Sequence, residues 1–305
     1  CRPLRCQRSA LPLSYAPFFK NNTKLYLKNI QNNITLDIMN FLTQNINKNL
    51  NKNNNSRSSI VLSSPHSGTF LPKEYLRISN LSIKEIKQSE DSLVDELLSF
   101  KKKYNNFLLS ANWSRCVVDV NRSSNDFNEK DFSSPLINFK SLPTKYALSG
   151  LGVIPTKGFN NKKIYSTPIS GDLANYWLKT AWDSFHENLK NVLTETKNKY
   201  GHCILLDFHS MPSNINYTKK IDVVIGDCFG KSSSKKLVKY IKDFFASKKY
   251  NVNLNKPFAG GFITKNYVKP SEEYHAIQIE INRSLYLDEK TRKKNKNFKN
   301  IKNLI

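Results

Sequence analysis

The sequence has no CxxC pair, and its five cysteines (Cys1, Cys6, Cys116, Cys203 and Cys228) make no even disulfide framework. Cys116, Cys203 and Cys228 lie in or beside apolar runs and read as small buried hydrophobes, so a reducing cytoplasm is the expected location. No stretch approaches the ~20 apolar residues of a membrane span. The run Leu11–Phe19 is broken by Pro12 and Pro17 and no convincing cleavage site follows, so it reads as a poor core for a secretory leader. There is no HExxH, so a helix-borne zincin site is excluded, and Gly150-Leu151-Gly152 is followed by no helical pattern and makes no nucleotide loop. Acidic residues are scarce, 24 against 48 basic, for a net charge of +24. The excess is mostly lysine interleaved with asparagine, not the arginine forks that read phosphate. It is taken as compositional bias, and neither nucleic acid nor membrane is expected as a partner.

What is present begins near Ser58. Residues 1–57 are rich in Asn and Lys, with one short amphipathic pattern over 34–42, and bury too little apolar surface to offset ordering entropy. They read as a disordered extension. Beyond them, strand-like runs alternate with helical patterns, which predicts a single α/β domain over 58–292 and a frayed basic tail over 293–305. The β-branched run Ser59–Ser64 ends at Pro65-His66-Ser67-Gly68, and the apolar run Cys203–Leu206 turns polar at Asp207-Phe208-His209 before Pro212 stops it. Cys116–Val120 reads as another strand, ending in Asn121-Arg122. Ile83–Phe100 reads as one helix with Asp91 and Asp95 on a single face, and 172–200 as the longest helix, carrying His186. In Ala276–Arg283, Gln278, Glu280 and Asn282 alternate onto one face, which is therefore no plain apolar core face.

Strand ends at one edge of an α/β sheet converge, so His66, Asn121, Arg122 and His209 can meet, with Glu280 nearby. Two neutral imidazoles and one carboxylate leave an open coordination position, the pattern of a catalytic zinc. Such an ion acidifies water and polarises a carbonyl, while a separate carboxylate moves the proton to a leaving nitrogen. Arginines nearby suit a substrate carboxylate. Against this stand plainer readings: His66 and His209 as satisfied core histidines, Arg115 as a partner of Asp119 or Asp207, and Glu280 as half of a buried ion pair.

Six stretches in order carry a resemblance: Ser64–Gly68, Asp91–Leu97, Val118–Arg122, Gly150–Gly152, Asp207–Ser213 and Glu280–Tyr286. Together they resemble the N-formylglutamate amidohydrolase family. The resemblance implies a mixed central sheet flanked by helices, similar to zinc carboxypeptidases, with one zinc ion at the strand ends. It implies hydrolysis of N-formyl-L-glutamate to formate and L-glutamate in histidine breakdown, a small N-acyl amino acid being the only partner expected. Carried over, His66 and His209 would ligate the metal and Glu280 would be the general base. The third ligand is open, because a carboxypeptidase-like HxxE would need an acid at Thr69; Asp91 is taken, with Asp95 as the alternative. Asn121 and Arg122 would hold the substrate carboxylate, with Arg115 and Arg283 as further donors. Lys145-Tyr146 stands where family members often carry an arginine, which leaves room for another N-acyl amino acid or a peptide amide as the substrate on the same fold.

Overall fold

The structure, a computed structural model, describes residues 58–99, 107–215 and 220–305. The expected extension over 1–57 and its amphipathic pattern lie outside the described residues. Six strands form one mixed sheet: β1 (Ile60–Ser64), β2 (Phe107–Ser110), β3 (Cys203–Met211), β4 (Val223–Gly226), β5 (Val252–Leu254) and β6 (Tyr274–Asn282). Their order is β2-β1-β3-β6-β4-β5, with β2, β1, β3 and β6 mutually parallel and β4 antiparallel to β6. The expected mixed α/β architecture is the observed one.

Period-2 alternation separates the two faces. Leu62, Phe208, Ile277, Ile279, Ile281, Val223 and Ile225 face one way and pack with α3 (Val94–Leu98), α7 (Lys235–Ser247) and α9 (Phe298–Leu304). Val61, Leu205 and Ala276 face the other and meet α5 (Gly171–Trp177) and α6 (Ser184–Tyr200) through Ala174, Trp177, Phe185 and Leu189. A π-helical turn over Leu178–Asp183 joins those two helices. This second face changes character along the strands: in register, Ser63 neighbours Asp207, Asp207 neighbours Gln278, and His209 neighbours Glu280. The apolar half anchors the sheet and the polar half, at the carboxyl ends of β3 and β6, is buried just as deeply. Met211, last on β3, packs with Ile221 and Val224.

Three expectations are corrected. Ile83–Phe100 is not one helix: α2 (Ile83–Ser89) and α3 are separated at Glu90–Leu93, where Leu93 is left-handed (φ +68°). Asp91 and Asp95 therefore share no helical face. Cys116–Val120 is buried but pairs in no ladder; it is a turn, tied by Asp119 N–H to Val153 O at 2.8 Å. The end of the chain does not fray, because α9 buries Phe298 and Ile301 against Val94, Leu97 and Leu98. Between these elements lie α1 (Lys73–Ile78), α4 (Lys145–Leu148) and α8 (Phe262–Asn266). Cys116, Cys203 and Cys228 are free and buried, as their surroundings predict. No helix among the described residues is long and apolar enough to cross a membrane.

Candidate metal centre

β1 runs into Pro65 and delivers His66 into a tight turn in which Ser64 Oγ bonds Ser67 Oγ at 2.8 Å. Gly68 is needed here, since a Cβ would lie 2.2 Å from Trp113 O. His209 is placed by β3. Asp91 is placed by the break between α2 and α3, where its N–H donates to His66 O at 2.9 Å. Among the described residues, His66, Asp91 and His209 are the group able to offer three converging ligand atoms, and all three are buried. His209 Nδ1 lies 3.1 Å from His66 Nδ1 and 3.2 Å from Asp91 Oδ2, and His66 Nδ1 lies 3.5 Å from that same oxygen. Three ligands on a tetrahedral zinc, with bonds near ~2.05 Å, stand about 3.3 Å apart. The triangle fits such an ion. Asp95, the alternative ligand, sits in the first turn of α3 and is outside the group.

The far side of each imidazole is set by a carboxylate. His66 Nε2 is 2.7 Å from Asp119 Oδ1 and His209 Nε2 is 3.0 Å from Asp207 Oδ2. An Nε2–H donated to each aspartate leaves both neutral rings with an Nδ1 lone pair aimed inward. These two aspartates were not foreseen as part of the site. A signal existed for one, since Asp207 and His209 are two apart on a strand and must share a face. Asp207 is held in turn by Ser63 Oγ at 2.6 Å, and Asp119 by Arg115 Nη2 at 2.7 Å and the Asn121 N–H at 2.9 Å.

The electrostatics favour a cation at the centre. Asp91, Asp119, Asp207 and Glu280 are buried and outnumber by two the guanidiniums bonded to them, those of Arg115 and Arg283. Burial alone would raise Asp91, yet hydrogen bonds from His209 and His66 and the charge of Arg283 hold it well below the usual carboxylate range. Asp119 is likewise held low, its burial outweighed by His66 and Arg115. His209 goes the other way: burial disfavours its charge, but the Asp207 carboxylate overrides this and raises it well above an ordinary histidine. Glu280 is pushed up to about 7, chiefly by burial, with His209 opposing and Asp91 adding to the rise. It makes no part of the ligand triangle; its Oε1 accepts from Gln278 Nε2 at 2.9 Å. A carboxyl balanced near neutrality can take up and release a proton.

The residues read as substrate donors divide. Arg283 donates to Asp91 Oδ1 at 2.8 Å and to Ser210 Oγ at 3.0 Å, and Arg115 to Asp119, so both already serve protein carboxylates. Asn121 is buried, with Nδ2 3.3 Å from His209 Nε2 and Oδ1 accepting from the Ile263 N–H at 2.9 Å. Arg122 instead lays its guanidinium on the Tyr146 ring, 4.1 Å from the centroid, and Lys145 Nζ lies 5.5 Å from the same ring. The π-helical turn reaches this segment, since Trp182 Nε1 donates to Arg122 O at 2.8 Å. His186, one turn on, is a core histidine: it bonds Val120 O and Tyr267 Oη, and burial lowers it to about 4.

Comparison with known proteins gives the family and the fold. The sequence profile described as N-formylglutamate amidohydrolase matches residues 58–287. An N-formylglutamate deformylase of Pseudomonas putida is 27% identical over 245 residues, 76% of this chain and 83% of that protein. Its counterpart in Pseudomonas aeruginosa is 27% identical over 241 residues, 76% and 84% of the two chains. The crystal structure of N-formylglutamate amidohydrolase from Ralstonia eutropha superposes with a TM-score of 0.76 at 26% identity, covering 81% of this chain and 89% of that one. A gene product of Agrobacterium tumefaciens, 17% identical with a TM-score of 0.55 over 78% of this chain and 85% of its own, shares the fold.

Proposed function

The chain belongs to the N-formylglutamate amidohydrolase family, and from that membership we propose that it is a zinc-dependent hydrolase of N-formyl-L-glutamate, releasing formate and L-glutamate. The observation that carries the metal part is the triangle of His66 Nδ1, Asp91 Oδ2 and His209 Nδ1, with sides of 3.1 to 3.5 Å. Zinc held by these atoms would supply a Lewis acid that polarises the formyl carbonyl and acidifies water. Asp119 and Asp207 keep the two imidazoles in the ligating tautomer. Glu280 is the general base in this reading. Its carboxylate takes a proton from the attacking water as the new C–O bond forms, then returns one to the amide nitrogen as the C–N bond breaks, so formate and a free amine leave. Arg122, braced on Tyr146 and fixed at its carbonyl by Trp182, is the donor assigned to the substrate carboxylate. The catalytic domain in this account spans 58–292, with 1–57 an extension and 293–305 a basic tail.

Glu280→Gln tests the assignment: zinc is retained while kcat falls by roughly 10²–10⁴. Near-normal kcat in that variant refutes Glu280 as the base. The pair Lys145-Tyr146 beside Arg122 favours a second reading, the same hydrolysis on another N-acyl amino acid or a peptide amide, because a lysine presents a point charge and not a fork. Turnover of N-formyl-L-glutamate, N-formyl-L-aspartate and N-acetyl-L-glutamate separates the two; a preference for either of the latter displaces the first reading.

A further inference from the structure

The break that presents Asp91 leaves backbone carbonyls without helical partners, and each must be met by another donor. For three of them, those of Gln88, Glu90 and Ser92, the donors come from the far end of the chain. Arg283 Nη1 donates to Gln88 O at 3.3 Å, Tyr286 Oη to Ser92 O at 3.0 Å, and Arg292 Nη2 both to Glu90 O and to Ser92 Oγ, the latter at 2.9 Å. Arg292 therefore straddles Asp91, gripping the residue on each side of it. It does so from a left-handed backbone (φ +58°), a conformation costly for a non-glycine residue, held by its N–H to Asp288 O at 2.7 Å. The segment that carries it is docked independently: Lys294 pairs with Glu96, Lys302 Nζ bonds Ser99 Oγ at 2.7 Å, and Phe298 and Ile301 are buried beside α3. Arg292 and α9 lie beyond the residues matched by the family profile, 58–287.

We infer that Arg292 is a positioning residue for the metal ligand Asp91, and that docking of residues 288–305 and binding of the ion are coupled. The inference rests on the reading of His66, Asp91 and His209 as the metal ligands. Arg292 is not one of the three converging ligands; it fixes the Glu90–Ser92 backbone so that the Asp91 carboxylate arrives preorganised. Linkage makes the effect reciprocal: whatever undocks the segment weakens the ion, and the ion tightens the docking.

The test is zinc affinity of the full-length protein by competition with a chromophoric chelator, read beside the melting temperature of the metal-free form. Arg292→Ala is expected to weaken zinc roughly tenfold, the lower range for groups that orient a ligand. Arg292→Lys, which keeps the charge and can still offer several donors from one nitrogen but on a different side chain, should recover part of that loss. Val238→Ala, in α7 and away from the break, serves as a control that lowers stability and leaves zinc affinity unchanged. Zinc should also slow proteolysis within 288–305 in the wild type and not in Arg292→Ala. Wild-type zinc affinity in both Arg292 variants overturns the inference and leaves the metal reading intact, as does an equal weakening in Val238→Ala. A wild-type protein that binds no zinc overturns the metal reading, and the inference falls with it.

Discussion

Asp207→Asn isolates the charge behind one proposed ligand, His209. Asp207 is fully buried, with Oδ2 3.0 Å from His209 Nε2 and Oδ1 2.6 Å from Ser63 Oγ. An asparagine keeps both contacts: its amide oxygen accepts from His209, and its nitrogen turns to Ser63 Oγ, a hydroxyl that can also accept. Shape is preserved and one negative charge is lost. At an effective dielectric of ~20, a unit charge ~7 Å away, on the opposite side of the imidazole, interacts with that carboxylate by about 2.4 kcal/mol. The loss is partly offset because the same carboxylate also stabilises the His209 proton that zinc must displace. A net cost of about 1.4–2 kcal/mol, roughly ten- to thirtyfold in zinc Kd, agrees with the range for carboxylates that back a ligating histidine. Competitive zinc titration reads it directly, with circular dichroism confirming that the variant is folded. A Kd within about threefold of wild type would refute the carboxylate–histidine–metal relay and return His209 to the status of a satisfied core residue.

Two further outcomes follow from the same geometry. Because the Asp207 carboxylate raises His209 well above an ordinary histidine, zinc must displace its proton, so zinc affinity should tighten as pH rises, by up to about tenfold per unit while His209 is protonated. In the metal-free protein the sign is reversed, since a raised histidine gives its full stabilisation below about pH 6.5 and loses it as pH climbs through the folded value. Calorimetry in buffers of different ionisation enthalpy measures the released proton, and its absence would contradict a His209 raised by Asp207. Gly261→Ala would set a Cβ 2.3 Å from Asn121 Nδ2, forcing that side chain away from His209 and from the Ile263 N–H. It should cost about 1–3 kcal/mol of stability and raise KM more than it lowers kcat; an unchanged KM would detach Asn121 and its neighbour Arg122 from substrate binding.

Much of the site was legible because a buried strand that turns polar is an anomaly in its own local pattern. His66 and His209 each end an apolar run, and the alternation of Gln278, Glu280 and Asn282 places a buried polar face without reference to any fold. The position of Asp91 could not be read this way. Ile83–Phe100 keeps an unbroken helical period and holds no glycine or proline, so nothing local marks the break; it is enforced by contacts from His66, Arg283 and Arg292, the last two about two hundred residues away. Cys116–Val120 has strand composition because it is buried on all sides, and burial alone does not say whether a ladder partner exists. Asp119 was hidden by the same misreading, since its role appears only once the turn carries it to His66.

The central claim is that His66, Asp91 and His209 hold a zinc ion on which amide hydrolysis depends, and one measurement addresses it most directly. Formate release from N-formyl-L-glutamate is followed while zinc is removed by chelator and added back, with metal content determined on the same samples. The expected result is about one zinc per chain, turnover that vanishes with the ion and returns in proportion to it, and neither zinc nor turnover in His209→Ala. Undiminished turnover by protein stripped of divalent metal, or zinc bound equally well by His209→Ala, would contradict it.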